Sequence, residues 1–213
     1  GVWLSTKIFG RIKVGNWMGW GNIVYGVLIC AEVLAPTQLV FGIALYFRGM
    51  MGFLNGVATN TVASNLEKEF NRRLLSTCHA MYSVGGAVGA AFAATMFGFK
   101  WGSQYQIVAM LCIVTGIILL LKKNYIRHDY LIHSGSGYQL PNKSILGLSF
   151  ICLVLFMTEG SIVDWSSIFL KRDILAPMYL ISVGYGGFSI AMTLGRLNGD
   201  MIIPRLGDKN IVV

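Results

Sequence analysis

Long apolar stretches without charge recur along this chain, separated by short polar connections. Runs free of Asp, Glu, Lys and Arg include Val14 to Ala31, Gly49 to Leu66, Leu74 to Phe99, Trp101 to Leu121 and Ile174 to Gly195. Each is close to the roughly 17 to 25 residues that a helix rising about 1.5 Å per residue needs to cross a hydrocarbon core of about 30 Å. A buried helix of a soluble protein usually keeps a polar face, and a secretory signal is one short segment near a start methionine; neither describes this pattern. The pattern predicts an all-α polytopic bundle with six spans, approximately Asn16 to Leu34, Leu39 to Val62, Ser76 to Phe99, Gln104 to Leu121, Ser144 to Leu170 and Tyr179 to Ile203.

The prolines agree with these limits. Pro36, Pro141, Pro177 and Pro204 fall in the proposed turns or at a span's end, where a missing N–H does no harm. Trp17, Trp101, Tyr105, Tyr125, Trp165 and Tyr179 lie near proposed ends and suit the headgroup zone, although packing would place them equally well.

Composition adds that water is not the main solvent: 55% of residues are hydrophobic and 12% charged. Short cytoplasmic loops collect Lys and Arg, so the basic residues orient the bundle. One set of alternate connections holds Lys7, Arg11, Lys13, Lys68, Arg72, Arg73, Lys122, Lys123, Arg127, Lys143, Arg205 and Lys209, whereas the other holds only Lys100, Lys171 and Arg172. Residues 1–15, 63–75, 122–143 and 204–213 are thereby expected to face the cytoplasm. The formal charge of +8 follows from this topology and from attraction to anionic lipid, and requires no nucleic acid.

Cys30, Cys78, Cys112 and Cys152 each lie in a different span with no histidine at ligand spacing, so neither a metal nor a disulfide is expected. No phosphate loop, dinucleotide fingerprint or nucleophile elbow is present, so no cofactor and no enzyme activity are expected. The connection Lys122 to Lys143 carries the polar run HSGSGYQLPNK and reads as a linker between two bundles, with His128 and His133 as solvated loop residues. Glycines four apart, at Gly15 and Gly19, Gly52 and Gly56, Gly85 and Gly89, and Gly195 and Gly199, predict close helix–helix approach.

Charged residues at membrane depth are costly and mark pathways by default. Arg48 lies nine residues into its span, on the order of 14 Å deep, and Glu159 fifteen residues into its own, on the order of 22 Å from the cytoplasmic side. Both can then face one cavity, with Glu159 a reversible proton site and Arg48 tuning it; a permanent ion pair or a packing hydrogen bond is the alternative. Asp164 sits nearer the outer surface as a helix-end residue or outer-gate partner. His79 can relay protons or bond a neighbouring helix. Asn55, Asn60, Tyr82 and Trp165 can bind a polar solute or hold helices together.

At Gly184 begins GYGGFSIAMTLGRLNGDMIIPRLGDK, which resembles the eighth helix and following loop of major facilitator superfamily transporters. RGMMG, Arg48 to Gly52, is similar to that superfamily's fourth-helix pattern. NTVASNLEKEFNRRLLSTCHAMYSVGGAVGA, from Asn60, together with EGSIVDW, from Glu159, resembles its fucose-permease-like bacterial branch. The resemblance aligns the spans with helices three to eight of twelve. It implies a fragment: residues 1–121 hold the end of helix two and helices three to six of an N-terminal six-helix bundle, 122–143 the linker, and 144–213 helices seven and eight. It implies a secondary transporter working by alternating access on a small polar solute, a sugar or metabolite, with a proton, in symport.

Some positions depart from the family pattern. Gly10 precedes Arg11, and Pro204 precedes Arg205, where the family's loops carry an acid, leaving Arg196 and Asp200 as a candidate gating pair. Gly56 stands where related permeases often have a helix-four carboxylate, and VGGAVGAAF lacks the glycine-proline signature of antiporters. These departures keep open a second reading, a sensor or scaffold that retains the fold without transport.

Overall fold

The computed structural model describes residues 2–126 and 143–206; within them, the side chains of 2–4, 6, 122–126, 143, 144, 200, 201 and 203–206 are outside the description. The described residues form seven helices and no strand: α1 (Val2–Phe9), α2 (Val14–Val33), α3 (Gln38–Phe70), α4 (Leu75–Gly98), α5 (Ser103–Ile126), α6 (Lys143–Arg172) and α7 (Met178–Leu206). Helices α2 to α7 coincide with the six expected spans. Five of them, α3 to α7, contain stretches long and apolar enough to cross a membrane. Helix α2 is the exception, and several of its polar groups are taken up by α3.

Helix α3 continues beyond Val62, where its span was expected to end. The segment ASNLEKEF contains good helix formers and charges that need water, so the helix extends as a solvated turn or two past the apolar stretch. It ends where Asn71 takes a left-handed conformation at φ 49°, a conformation that asparagine tolerates well. The Glu67 carboxylate then accepts from the backbone N–H groups of Leu74 and Leu75 at 2.7 and 2.9 Å, closing the turn. At its other end Thr37 caps α3, its hydroxyl accepting from Val40 N–H at 3.3 Å. Pro36 and Pro177 lie between helices, whereas α7 takes Pro204 into its last turn and stops two residues later at Leu206. The interhelical run containing Pro141, His128 and His133 lies outside the described residues.

By contact the chain divides into two compact units, Gly1–Leu75 with Trp101–Gly135, and Ser76–Lys100 with Ser136–Val213. The first holds α1, α2, α3 and α5; the second holds α4, α6 and α7. Grouping thus departs from chain order, because α4 bonds to α7 within the second unit. In the first unit α2 packs along both α3 and α5. Phe9, Val14, Leu54 and Ala58 form its fully buried centre, with Trp17, Met18, Met51 and Val62 around them, and the Phe9 and Trp17 rings meet edge to face at 5.6 Å.

Large apolar side chains elsewhere point outward, as Leu120 and Phe156 do at 84% and 72% exposure. That distribution suits a surface facing lipid tails, against which burying such groups inside gains nothing.

Glycines make the close helix approaches, but mostly not the expected ones. A Cβ on Gly56, Gly85, Gly89 or Gly195 would meet nothing within 4 Å. The tight positions are Gly21 against Asn55 and Trp17, Gly26 against Leu111, Gly86 against Tyr185 and Ser189, and Gly184 against Leu170; of the predicted pairs, Gly52 does approach Tyr25 and Gly19 makes ordinary contact with Ile118. Spacing alone selects glycines on a common stripe without saying which stripe meets a neighbour.

Candidate functional site

Two polar clusters lie inside the helices, one in each unit. In the first unit, Arg48, Gly52 and Asn55 fall at spacings of four and seven from Arg48, so they share one face of α3. That face meets α2. Arg48 Nε donates to Glu32 Oε1 at 2.6 Å, and one of its terminal nitrogens donates to the Tyr25 hydroxyl at 3.4 Å. Gly52 leaves room for the Tyr25 ring, 3.3 Å from where a Cβ would stand. One further step along, Asn55 accepts from Trp17 Nε1 at 2.9 Å and donates to Gly21 O at 3.3 Å and Asn22 Oδ1 at 3.1 Å. Asn22 in turn donates to Met18 O at 2.6 Å. Both amide hydrogens of Asn55 and its carbonyl are thus engaged by α2, and Glu32 keeps only 11% side-chain exposure. The arrangement is a polar seam holding two helices. Beside it, between α2 and α5, lies a cavity of about 360 Å³ whose walls are apolar except at Asn22 and Tyr25.

In the second unit the centre is Arg196 on α7. One terminal nitrogen donates to Ser83 Oγ at 2.7 Å and to the His79 carbonyl at 3.1 Å, both on α4. The other donates to the two Glu159 oxygens at 3.4 and 3.5 Å, on α6. The Arg196 carbonyl itself accepts from Ser76 Oγ at 2.6 Å. One arginine therefore ties three helices, firmly to α4 and loosely to α6. Arg196 and Glu159 keep 22% and 26% side-chain exposure. Higher along the same pair of helices, Gly86 lets the Tyr185 hydroxyl and Ser189 approach α4.

The cation meeting Glu159 is Arg196, while Arg48, expected to tune Glu159, has its own carboxylate in Glu32. Glu32 lies near the end of the expected span Asn16 to Leu34, where a charge is unremarkable; a lone arginine within a span nevertheless calls for a carboxylate, and Glu32 is the one in the same helical hairpin. Ser83 carried no signal at all, being one of many small polar residues on apolar helices. His79 contributes its backbone carbonyl, and its side chain is exposed. Asn60, Tyr82, Asp164 and Trp165 are exposed on their helices, as is Arg11 at the end of the turn after α1. Asp200 and Arg205 lie on α7 with side chains outside the described residues, and the described partners of Arg196 are on α4 and α6. The four cysteines are not joined in disulfides; Cys30 is buried, with its thiol 3.9 Å from the Ile107 carbonyl.

Among the proteins similar to this chain are two named as transporters and one named as a membrane protein. The chain is 33% identical over 196 residues to an uncharacterized MFS-type transporter of Yersinia pestis, covering 90% of this chain and 51% of that protein. It is 34% identical over 208 residues to an uncharacterized transporter of Sinorhizobium fredii, covering 95% and 53%. The membrane protein MosC of Rhizobium meliloti matches at 24% over 229 residues, covering 100% and 55%. The chain spans about half the length of these curated relatives. No protein-family model matches it, and no solved structure matches it significantly. Apolar helices of spanning length together with transporter relatives make this an integral, multi-pass membrane protein.

Proposed function

We propose that this chain serves a major-facilitator-type secondary transporter of the fucose-permease-like branch, which moves a small polar solute across a bacterial cytoplasmic membrane by alternating access, together with a proton. The observation that carries the proposal is the Glu159–Arg196 pair: an ionisable couple inside apolar helices, held at 3.4 and 3.5 Å and partly open to its surroundings. The Arg48–Glu32 pair differs in being closer, at 2.6 Å, and in having the less exposed carboxylate, 11% against 26%. Similarity to proteins named transporters over nine-tenths of the chain supports the class. The quoted blocks at Asn60 and Glu159 support the branch, and the bias of basic residues supports the orientation.

In this reading Glu159 binds a proton when its surroundings open to one side and releases it when they open to the other, because a charged carboxylate is stabilised by Arg196 and water and penalised without them. Glu159→Gln in the intact protein, reconstituted in vesicles, is expected to abolish accumulation driven by a pH gradient while sparing solute exchange at equilibrium. Loss of both with poor folding would assign Glu159 to packing. No accumulation by the unaltered protein under any imposed gradient, across neutral and anionic solutes, would leave the sensor or scaffold in its place.

A further inference from the structure

The proposed function leaves open what kind of solute meets Arg196. The guanidinium carries five N–H donors in a fixed planar fork suited to carboxylates. One terminal nitrogen is satisfied by neutral groups of α4, Ser83 Oγ at 2.7 Å and the His79 carbonyl at 3.1 Å. Ser83 is 5% exposed, so this anchor is internal. The other terminal nitrogen reaches Glu159, whose two oxygens stand almost equidistant at 3.4 and 3.5 Å, at the long limit of a hydrogen bond. A charge-assisted pair normally closes to about 2.7 to 2.9 Å. Arg196 is thus fixed by groups that carry no charge, while its ionic partner can leave without loosening α7 from α4.

Charge balance limits what can replace that partner. The charged group facing Glu159 is Arg196 from α7; α4 contributes the Ser83 hydroxyl and the His79 backbone to Arg196, the His79 side chain is exposed, and Asp164 on α6 itself is exposed. Arginine and glutamate together are neutral. A second carboxylate on the guanidinium would leave one uncompensated negative charge at membrane depth, which costs several kcal/mol unless Glu159 takes up a proton.

We propose that Arg196 is the binding point for the carboxylate of a small organic anion, which takes the place of Glu159 on the guanidinium while Glu159 takes a proton, so that one anion and one proton move together without net charge. The inference rests on the reading of the chain as part of a proton-coupled transporter. No bond within the solute is made or broken; the proton comes from the side on which the anion enters and returns to water with it on the other.

The test uses the intact protein in proteoliposomes, with labelled glucuronate and lactate against their uncharged counterparts glucose and propane-1,2-diol. Expected are uptake of an anion driven by an inward proton gradient, indifference to a potential imposed with valinomycin and potassium, and no uptake of the neutral partner. Arg196→Lys keeps the charge but loses the fork, and raises the apparent KM for the anion by about tenfold. Glu159→Gln, which leaves the α4 anchor intact, makes anion movement independent of the proton gradient and sensitive to potential. Proton-driven uptake of a neutral solute with no uptake of either anion overturns this inference and leaves the proposed function standing. So does anion uptake that follows the imposed potential in the unaltered protein. No uptake of any of the four overturns both.

Discussion

Gly21 is the position at which the first unit is most exposed to a single methyl group. It is buried on α2, and a Cβ built there would lie 2.6 Å from Asn55 Oδ1, 2.7 Å from Trp17 Nε1 and 3.0 Å from the Trp17 ring. Ordinary contacts of this kind begin about 3.4 Å apart, so Gly21→Ala leaves two outcomes. Asn55 and Trp17 can stay and absorb an overlap that costs roughly 1 to 3 kcal/mol. Otherwise Asn55 moves and gives up its bonds to Trp17, Gly21 and Asn22; at about 0.6 kcal/mol for an average interhelical bond within a membrane, that loss is roughly 2 kcal/mol. Alanine also regains up to about 1 kcal/mol of helix propensity. Gly42→Ala on α3 makes the same gain where nothing lies within 4 Å, so the difference between the two variants isolates the clash. It is expected to be about 2 kcal/mol, roughly a thirtyfold change in the unfolding equilibrium. Thermal unfolding of both variants in the same detergent, followed by tryptophan fluorescence, measures it. If Gly21→Ala and Gly42→Ala melt together, the seam at Asn55 is not what joins α2 to α3.

The other expectations are narrower. Glu32→Gln alone leaves Arg48 with an unmatched charge and lowers stability by about 2 to 3 kcal/mol, whereas Glu32→Gln with Arg48→Met recovers most of that loss; a double-mutant cycle in detergent reads the coupling. Gly86→Ala sets a methyl 2.6 Å from the Tyr185 hydroxyl and 3.0 Å from Ser189 Oγ, and is expected to impair both thermal stability and solute uptake, while Gly85→Ala changes neither. Asn71→Gly keeps the left-handed end of α3 and is nearly neutral, whereas Asn71→Ala costs about 1 kcal/mol by the same melting assay.

Helix number and position were legible because lipid imposes length. The apolar runs must reach across about 30 Å, and charged or proline-bearing segments mark where they cannot continue. The same constraint explains why the ends were less legible. Nothing in the apolar count stops α3 at Val62, since Glu67, Lys68 and Glu69 are good helix formers once the chain is in water, and only Asn71 ends it. The partners of polar residues were harder to read. Glu159 is conspicuous as a carboxylate in an apolar helix, yet its cation stands 37 residues away on α7, and nothing in the local pattern distinguishes Arg196 from Arg48 as the partner. The seam at Asn55 was hidden for another reason: it depends on Gly21 and Gly52 lying on the facing stripe, and glycine spacing carries no direction.

Arg48 and Arg196 show how the same residue type acquires different duties from its surroundings. Each is an arginine within an apolar helix, and each meets one glutamate. Arg48 reaches Glu32 at 2.6 Å with that carboxylate only 11% exposed, so separating them would leave the carboxylate charge poorly solvated. Arg196 is held mainly by a buried serine hydroxyl and a backbone carbonyl, so its glutamate, longer bonded and more open, can be exchanged at far smaller cost. A neutral anchor is what makes the ionic contact dispensable. Replacing Ser83 by alanine therefore matters more than its size suggests: with the shorter of the two anchoring bonds gone and only the His79 carbonyl left on α4, Glu159 holds a larger share of Arg196, the pair closes, and solute movement slows although the charges are unchanged. Uptake by Ser83→Ala equal to that of the unaltered protein would refute this account of the anchor.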